Sequence, residues 1–125
     1  MYRIMLADDE GIVTDSLTYI IEKNFKDRCE IETAKTGRGV IELAERFKPD
    51  IAFMDIQMPG INGIDAIREI KQTKPSVIFV ILSAYDKFMY AKEAISLGVM
   101  EYLNKPVNHK VVVEVIEKAI RQIDA

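Results

Sequence analysis

Asp8, Asp9, Asp55, Ser83 and Lys105 share one habit: each follows a short apolar run and precedes a turn or helix. Together they offer carboxylates, a hydroxyl and a cation. Two or three carboxylates held close repel one another unless something neutralises them. Mg²⁺ does this well, taking oxygen ligands that commonly include one or two carboxylates and keeping several waters. A phosphoryl group can complete such a shell, with Lys105 as a point charge for its oxygens and Ser83 as a hydroxyl donor. The set suits phosphoryl transfer to an aspartate, where positioning and charge neutralisation do most of the work. No single member carries that conclusion. An Asp after a strand is commonly a turn or cap residue. Asp8-Asp9-Glu10 opening a helix is explained by the helix dipole alone.

The elements that carry these residues raise the odds. Residues 4–7 form a first short apolar strand, and the helix after it carries Ile12, Val13, Leu17, Ile20 and Ile21 on one face. Residues 30–34 alternate in polarity, as an edge strand does. Thr36-Gly37-Arg38-Gly39 opens a second helix with Val40, Ile41, Leu43, Ala44 and Phe47, ended by Pro49. Its two glycines lack the Lys-Ser/Thr ending of a phosphate loop. Residues 51–54 read as a buried strand closed by Asp55, with Pro59-Gly60 forcing a turn and a third helix running to about 73. Residues 77–82 are apolar throughout, as in a strand covered on both faces. Asp86 is expected to cap a fourth helix ending near 97, residues 99–103 to form a fifth strand, and Asn108 to cap a last helix over 109–123.

Strand and helix thus alternate five times. The expected fold is α/β, a doubly wound five-stranded parallel sheet with five helices and right-handed crossovers. Every strand then ends on the same rim, where open sheets of this kind place their ligand sites. The five polar residues should converge there.

Composition sets bounds. At 125 residues, 49% hydrophobic and 30% charged, the chain suits one ordinary globular domain. A net charge of −3, without a basic stripe, gives no reason to expect direct nucleic-acid or anionic-membrane binding. No run approaches a membrane span, and no signal peptide opens the chain. The single cysteine, Cys29, fits a cytoplasmic location and is read as idle. His109 is read as a surface residue. Met54, Met58, Met89 and Met100 are read as core or rim filler, and Tyr85, Phe88 and Tyr90 as a clustered patch with at least one core member.

Leu6-Ala7-Asp8-Asp9-Glu10, the stretch Met54–Gly63, Ser83-Ala84 and Lys105-Pro106, in this order, closely resemble the response-regulator receiver domains of bacterial two-component signalling. The resemblance spans the whole chain and implies a flavodoxin-like strand order of 2-1-3-4-5. It implies phosphorylation of Asp55 by a histidine kinase or a small phosphodonor. Asp9 would be a direct Mg²⁺ ligand, Asp8 would act through water, and Asp55 and the backbone carbonyl of Gln57 would complete the protein's share. Ser83 and Lys105 would bind phosphoryl oxygens, Tyr102 would turn inward with Ser83 as a switch, and Lys105-Pro106 would be a cis peptide. The receiver would assist its own phosphorylation and dephosphorylation without being an enzyme. It would signal through the fourth and fifth helices and fifth strand, forming a homodimer on phosphorylation. In the last helix Val112, Ile116, Ala119 and Ile123 should face the sheet, with Val111 and Val113 at the margins.

Residues 83–98 further resemble receivers joined to an AraC-type helix-turn-helix transcription regulator. Residues 1–125 are expected to be the receiver alone, with any contact to DNA left to an output domain outside this chain. A stand-alone receiver acting by protein–protein contact is the alternative. Two other classes fare worse. An aspartyl-phosphate hydrolase of the haloacid dehalogenase type needs an acid two residues after its nucleophile, where this chain has Gln57. A flavin module needs a phosphate loop after the first strand, where Asp8-Asp9-Glu10 would repel the phosphate.

Overall fold

A computed structural model describes residues 1–84 and 88–125, with the backbone alone at 88–91. The Asp86 cap, the aromatic patch of Tyr85, Phe88 and Tyr90, and Met89 lie outside the described side chains. The elements are β1 Tyr2–Ala7, α1 Gly11–Phe25, a 3-10 turn Lys26–Arg28, β2 Cys29–Ala34, α2 Gly37–Phe47, β3 Ile51–Asp55, α3 Gly63–Thr73, β4 Ile78–Ser83, α4 Phe88–Ser96, β5 Glu101–Asn104 and α5 His109–Asp124. All strand pairs are parallel, in the order β2-β1-β3-β4-β5.

The sheet divides the core in two because side chains alternate along each strand. Ile4, Leu6, Ile51, Phe53, Ile78, Val80 and Leu82 meet α1 and α5 on one face. Met5, Ala7, Ala52, Met54, Phe79 and Ile81 meet α2, α3 and α4 on the other. Strands β3 and β4 are buried along their whole length, which explains their unbroken apolar runs. Strand β2 takes the edge that its alternation indicates.

Among the described residues, three helices start on side-chain caps. Thr36 accepts from Gly39 N at 3.0 Å, Asn62 from Asp65 N at 2.9 Å and Asn108 from Val111 N at 3.2 Å. Each cap satisfies a backbone donor that the helix leaves open, typically worth about 1 kcal/mol.

Three expectations need correction. Ile12 does not join the inner face of α1 and is 77% exposed. The inward stripe is Thr14, Leu17, Ile21 and Phe25, with Ile20 beside it, and Ile12 falls on the opposite side. Strand β5 begins at Glu101 rather than 99, because Val99 N is engaged with Ala94 O at 3.2 Å in closing α4. Gly98, at φ +75°, makes the turn between them. In α5, Val115 and Ile120 are buried while Ile123, in the final turn, is 37% exposed. Val112, Ile116 and Ala119 face the sheet and Val111 and Val113 are marginal, as the pattern indicates.

Candidate phosphoryl-acceptor site

Sheet register brings the polar residues together. Ala7 pairs with Met54, so the next residues, Asp8 and Asp55, stand level at the ends of β1 and β3. Asp55 pairs with Leu82, and Ser83 pairs with Asn104, one residue before Lys105. Lys105 N donates to Ser83 O at 2.7 Å, tying the β5 exit to β4. A cavity of about 280 Å³ opens there, lined by Asp9, Glu10, Asp55, Gln57, Ser83 and Lys105 among others. A larger one, about 650 Å³, opens among Pro49, Lys71, Gly98 and Lys118 and contains none of these residues.

Tight backbone contacts shape the loop after Asp55. Gly63 N donates to Ile56 O at 2.7 Å, and a Cβ on Gly63 would lie 2.1 Å from the Asp55 carbonyl oxygen. Gly60 adopts φ +95°, which favours glycine. The same loop is tied to the start of α2, where Gly37 N donates to Pro59 O at 3.1 Å.

Asp55 and Ser83 are buried, Asp8 is fully so, and Asp9 is exposed at the mouth. Asp8 Oδ1 accepts from Glu10 N at 2.9 Å, and Asp55 Oδ1 accepts from Gln57 N at 3.4 Å. Lys105 Nζ stands 2.7 Å from Asp8 Oδ2, 3.1 Å from Glu10 Oε1 and 3.4 Å from Asp55 Oδ1. Burial, and then repulsion from Asp8, pushes the Asp55 carboxyl up to about 6, against the weaker pull of Lys105. Burial pulls Lys105 down, yet Asp8, Glu10 and Asp55 outweigh it and hold the ammonium above its ordinary range.

Sequence reading did not assign Glu10 to the site. Its place beside Asp8 and Asp9 was the available signal, and the helix dipole explained it too easily. Tyr102 pairs in register with Ile81 and packs against the core beneath α2, α3 and α4. Its hydroxyl is buried without a hydrogen-bond partner among the described residues. The Lys105-Pro106 peptide is cis.

The donor set fits a hard cation. Ligand oxygens of Asp8, Asp9 and Glu10 lie within 4.8 Å of one another. Asp8 Oδ2 is buried, and among the described residues it faces Lys105 Nζ at 2.7 Å. Carboxylate oxygens without soft ligands suit Mg²⁺ rather than Zn²⁺.

Residues 4–117 match the family described as response regulator receiver domain. The chain is similar to the transcriptional regulatory protein YesN of Bacillus subtilis, 37% identical over 98% of this chain and 33% of that protein. It is similar to HptR of Staphylococcus aureus, also a transcriptional regulatory protein, 34% identical over 98% of this chain and 48% of that protein. The chain therefore spans about a third to a half of these curated relatives. Among solved structures, the receiver domain of AraT, a response regulator from Geobacillus stearothermophilus, superposes with a TM-score of 0.90 at 31% identity, covering 98% of this chain and 95% of that one. A CheY-like receiver domain protein from Methanospirillum hungatei does so with a TM-score of 0.90 at 25% identity, covering 99% and 98%.

Proposed function

Because the chain belongs to the response regulator receiver domains of two-component systems, we propose that Asp55 accepts a phosphoryl group from a histidine kinase or a small phosphodonor. One observation carries this reading: Asp55 is buried at the end of β3 and shares its cavity with Asp9, Gln57, Ser83 and Lys105. An Asp55 carboxylate oxygen attacks phosphorus, and the donor's bond to phosphorus breaks with its electron pair leaving on the donor. Asp9, Asp8, Asp55 and the Gln57 carbonyl would hold Mg²⁺, which when bound neutralises charge on the carboxylates and the phosphoryl oxygens. Lys105 and Ser83 bind those oxygens, and burial shields Asp55 from water. Later hydrolysis moves the phosphoryl group to water and returns the Asp55 carboxylate.

The output is a change on the face made by α4, β5 and α5. Ser83 and Tyr102 shift between two packings and favour a homodimer through that face. Ile95 of α4 is 77% exposed there, and Lys118 of α5 pairs with Glu101 of β5 at 2.9 Å. The domain works in the cytoplasm and controls a transcription-regulator output like those of its relatives, and DNA is contacted through that output. Incubation with Mg²⁺ and acetyl phosphate, read by intact-mass spectrometry, should add one phosphoryl group to the wild type. It should add none to Asp55→Asn or Asp9→Ala. A phosphoryl group retained by Asp55→Asn would sink the assignment.

A further inference from the structure

Glu10 is the acid of the opening run that the proposed Mg²⁺ ligands, Asp8, Asp9, Asp55 and the Gln57 carbonyl, leave out, although its oxygens lie within 4.8 Å of those of Asp8 and Asp9. Its backbone caps α1, yet its side chain makes no capping bond. The carboxylate reaches across to Lys105 instead, Oε1 to Nζ at 3.1 Å. The same Nζ stands 2.7 Å from Asp8 and 3.4 Å from Asp55. An ammonium has three donors, here meeting three carboxylates, with Asp55 the most distant. A phosphoryl group on Asp55 brings oxygens that need this ammonium, so one of its present contacts must give way. Asp8 is buried, and taking the cation from a buried carboxylate is costly. The Glu10 side chain is 55% exposed, so water takes over when the contact opens.

We propose that Glu10 is a positioning residue that holds Lys105 back from Asp55 and competes with the phosphoryl group for it. The proposal rests on Asp55 being the acceptor and Lys105 the phosphate-binding cation. Glu10 then sets how readily the site accepts and keeps a phosphoryl group, by a charge that touches neither the donor nor Asp55.

The test is the affinity for beryllofluoride at saturating Mg²⁺ in wild type, Glu10→Gln and Asp15→Asn. Glu10→Gln keeps the shape and removes the charge. Asp15→Asn removes an exposed acid from the same helix, outside the ion pairs of Lys105. Glu10→Gln should bind roughly two- to fivefold more tightly, the range open to an ion pair with one exposed partner. Asp15→Asn should match the wild type. The gain should shrink in high salt, which screens the exposed contact. In the free protein, the NMR signal of the Lys105 side chain should move in Glu10→Gln and stay in place in Asp15→Asn. Equal gains in both variants would assign the effect to net charge and overturn the proposal. So would unchanged or weaker binding in Glu10→Gln. Wild-type protein that binds no beryllofluoride would overturn the acceptor reading, and this inference with it. Wild-type binding with an indifferent Glu10→Gln would overturn this inference alone.

Discussion

Asp55 works against the stability of the fold that holds it. Its carboxyl is raised from 3.8 to about 6, so between those values the folded state holds the proton more tightly than the unfolded chain. The stability contributed by protonation is fully present below about 3.8 and is lost as pH rises through about 6. At neutral pH the ionised group is a net cost, on the order of 1–3 kcal/mol. In metal-free buffer, Asp55→Asn should therefore melt several degrees above the wild type at pH 7.5. The two should converge near pH 4, as calorimetry across that range would reveal. A constant gap at all pH values would place the effect elsewhere than in this carboxyl. That the candidate residues meet on one rim was largely legible, because each follows an apolar run and the rim follows from the alternation of elements. The place of Glu10 was not, since its contact with Lys105 depends on which way one side chain turns, and a helix start explains an acid equally well.

At the scale of elements, the close approach of α3 to β3 dictates a residue type. Ala is the better helix former, so propensity favours Gly63→Ala by about 1 kcal/mol. Packing opposes it, because the new Cβ would lie 2.1 Å from the Asp55 carbonyl oxygen and 3.0 Å from the Ile56 Cα. Both are backbone atoms where the strand ends and cannot step aside as a side chain could. Gly63→Ala should lower stability by about 1–3 kcal/mol in denaturant titration. Gly11→Ala, with nothing within 4 Å of its Cβ, should be neutral or slightly stabilising. Elements with one decisive signal were read well: the apolar run of β4, the Asn cap of α5, the alternation of β2. The errors came where two demands met on one residue. Val99 is apolar enough for a strand but is taken up by the end of α4. Ile123 sits at a helix end, where periodicity continues beyond the packed face, while Ile12 is apolar but lies on the outer side of α1.

For the whole molecule, alternation of strand and helix implies a parallel sheet and its handedness, but not which strand lies beside which. The order 2-1-3-4-5 was accessible through the family resemblance and not through hydrophobic pattern. It puts β5 at an edge between α4 and α5, and this exposed flank makes the dimer proposal testable. Analytical ultracentrifugation with Mg²⁺ should show a heavier species when beryllofluoride is added. Ile95→Glu, which puts a charge on that flank, should remain a monomer while still binding beryllofluoride. A wild type that stays monomeric in both conditions at high concentration would remove the dimer from the isolated domain's mechanism.

Asp8 and Lys105 come from opposite ends of the chain and meet 2.7 Å apart only because β1, β3, β4 and β5 lie side by side. During synthesis, the first strand and its acids emerge long before the lysine exists. The complete pocket therefore depends on the final strand standing beside β4. A chain still on the ribosome, or one whose last strand has peeled away, carries Asp55 but lacks the cation and the closed rim around it. If Lys105 is the phosphate-binding cation proposed above, such a chain should take up no phosphoryl group.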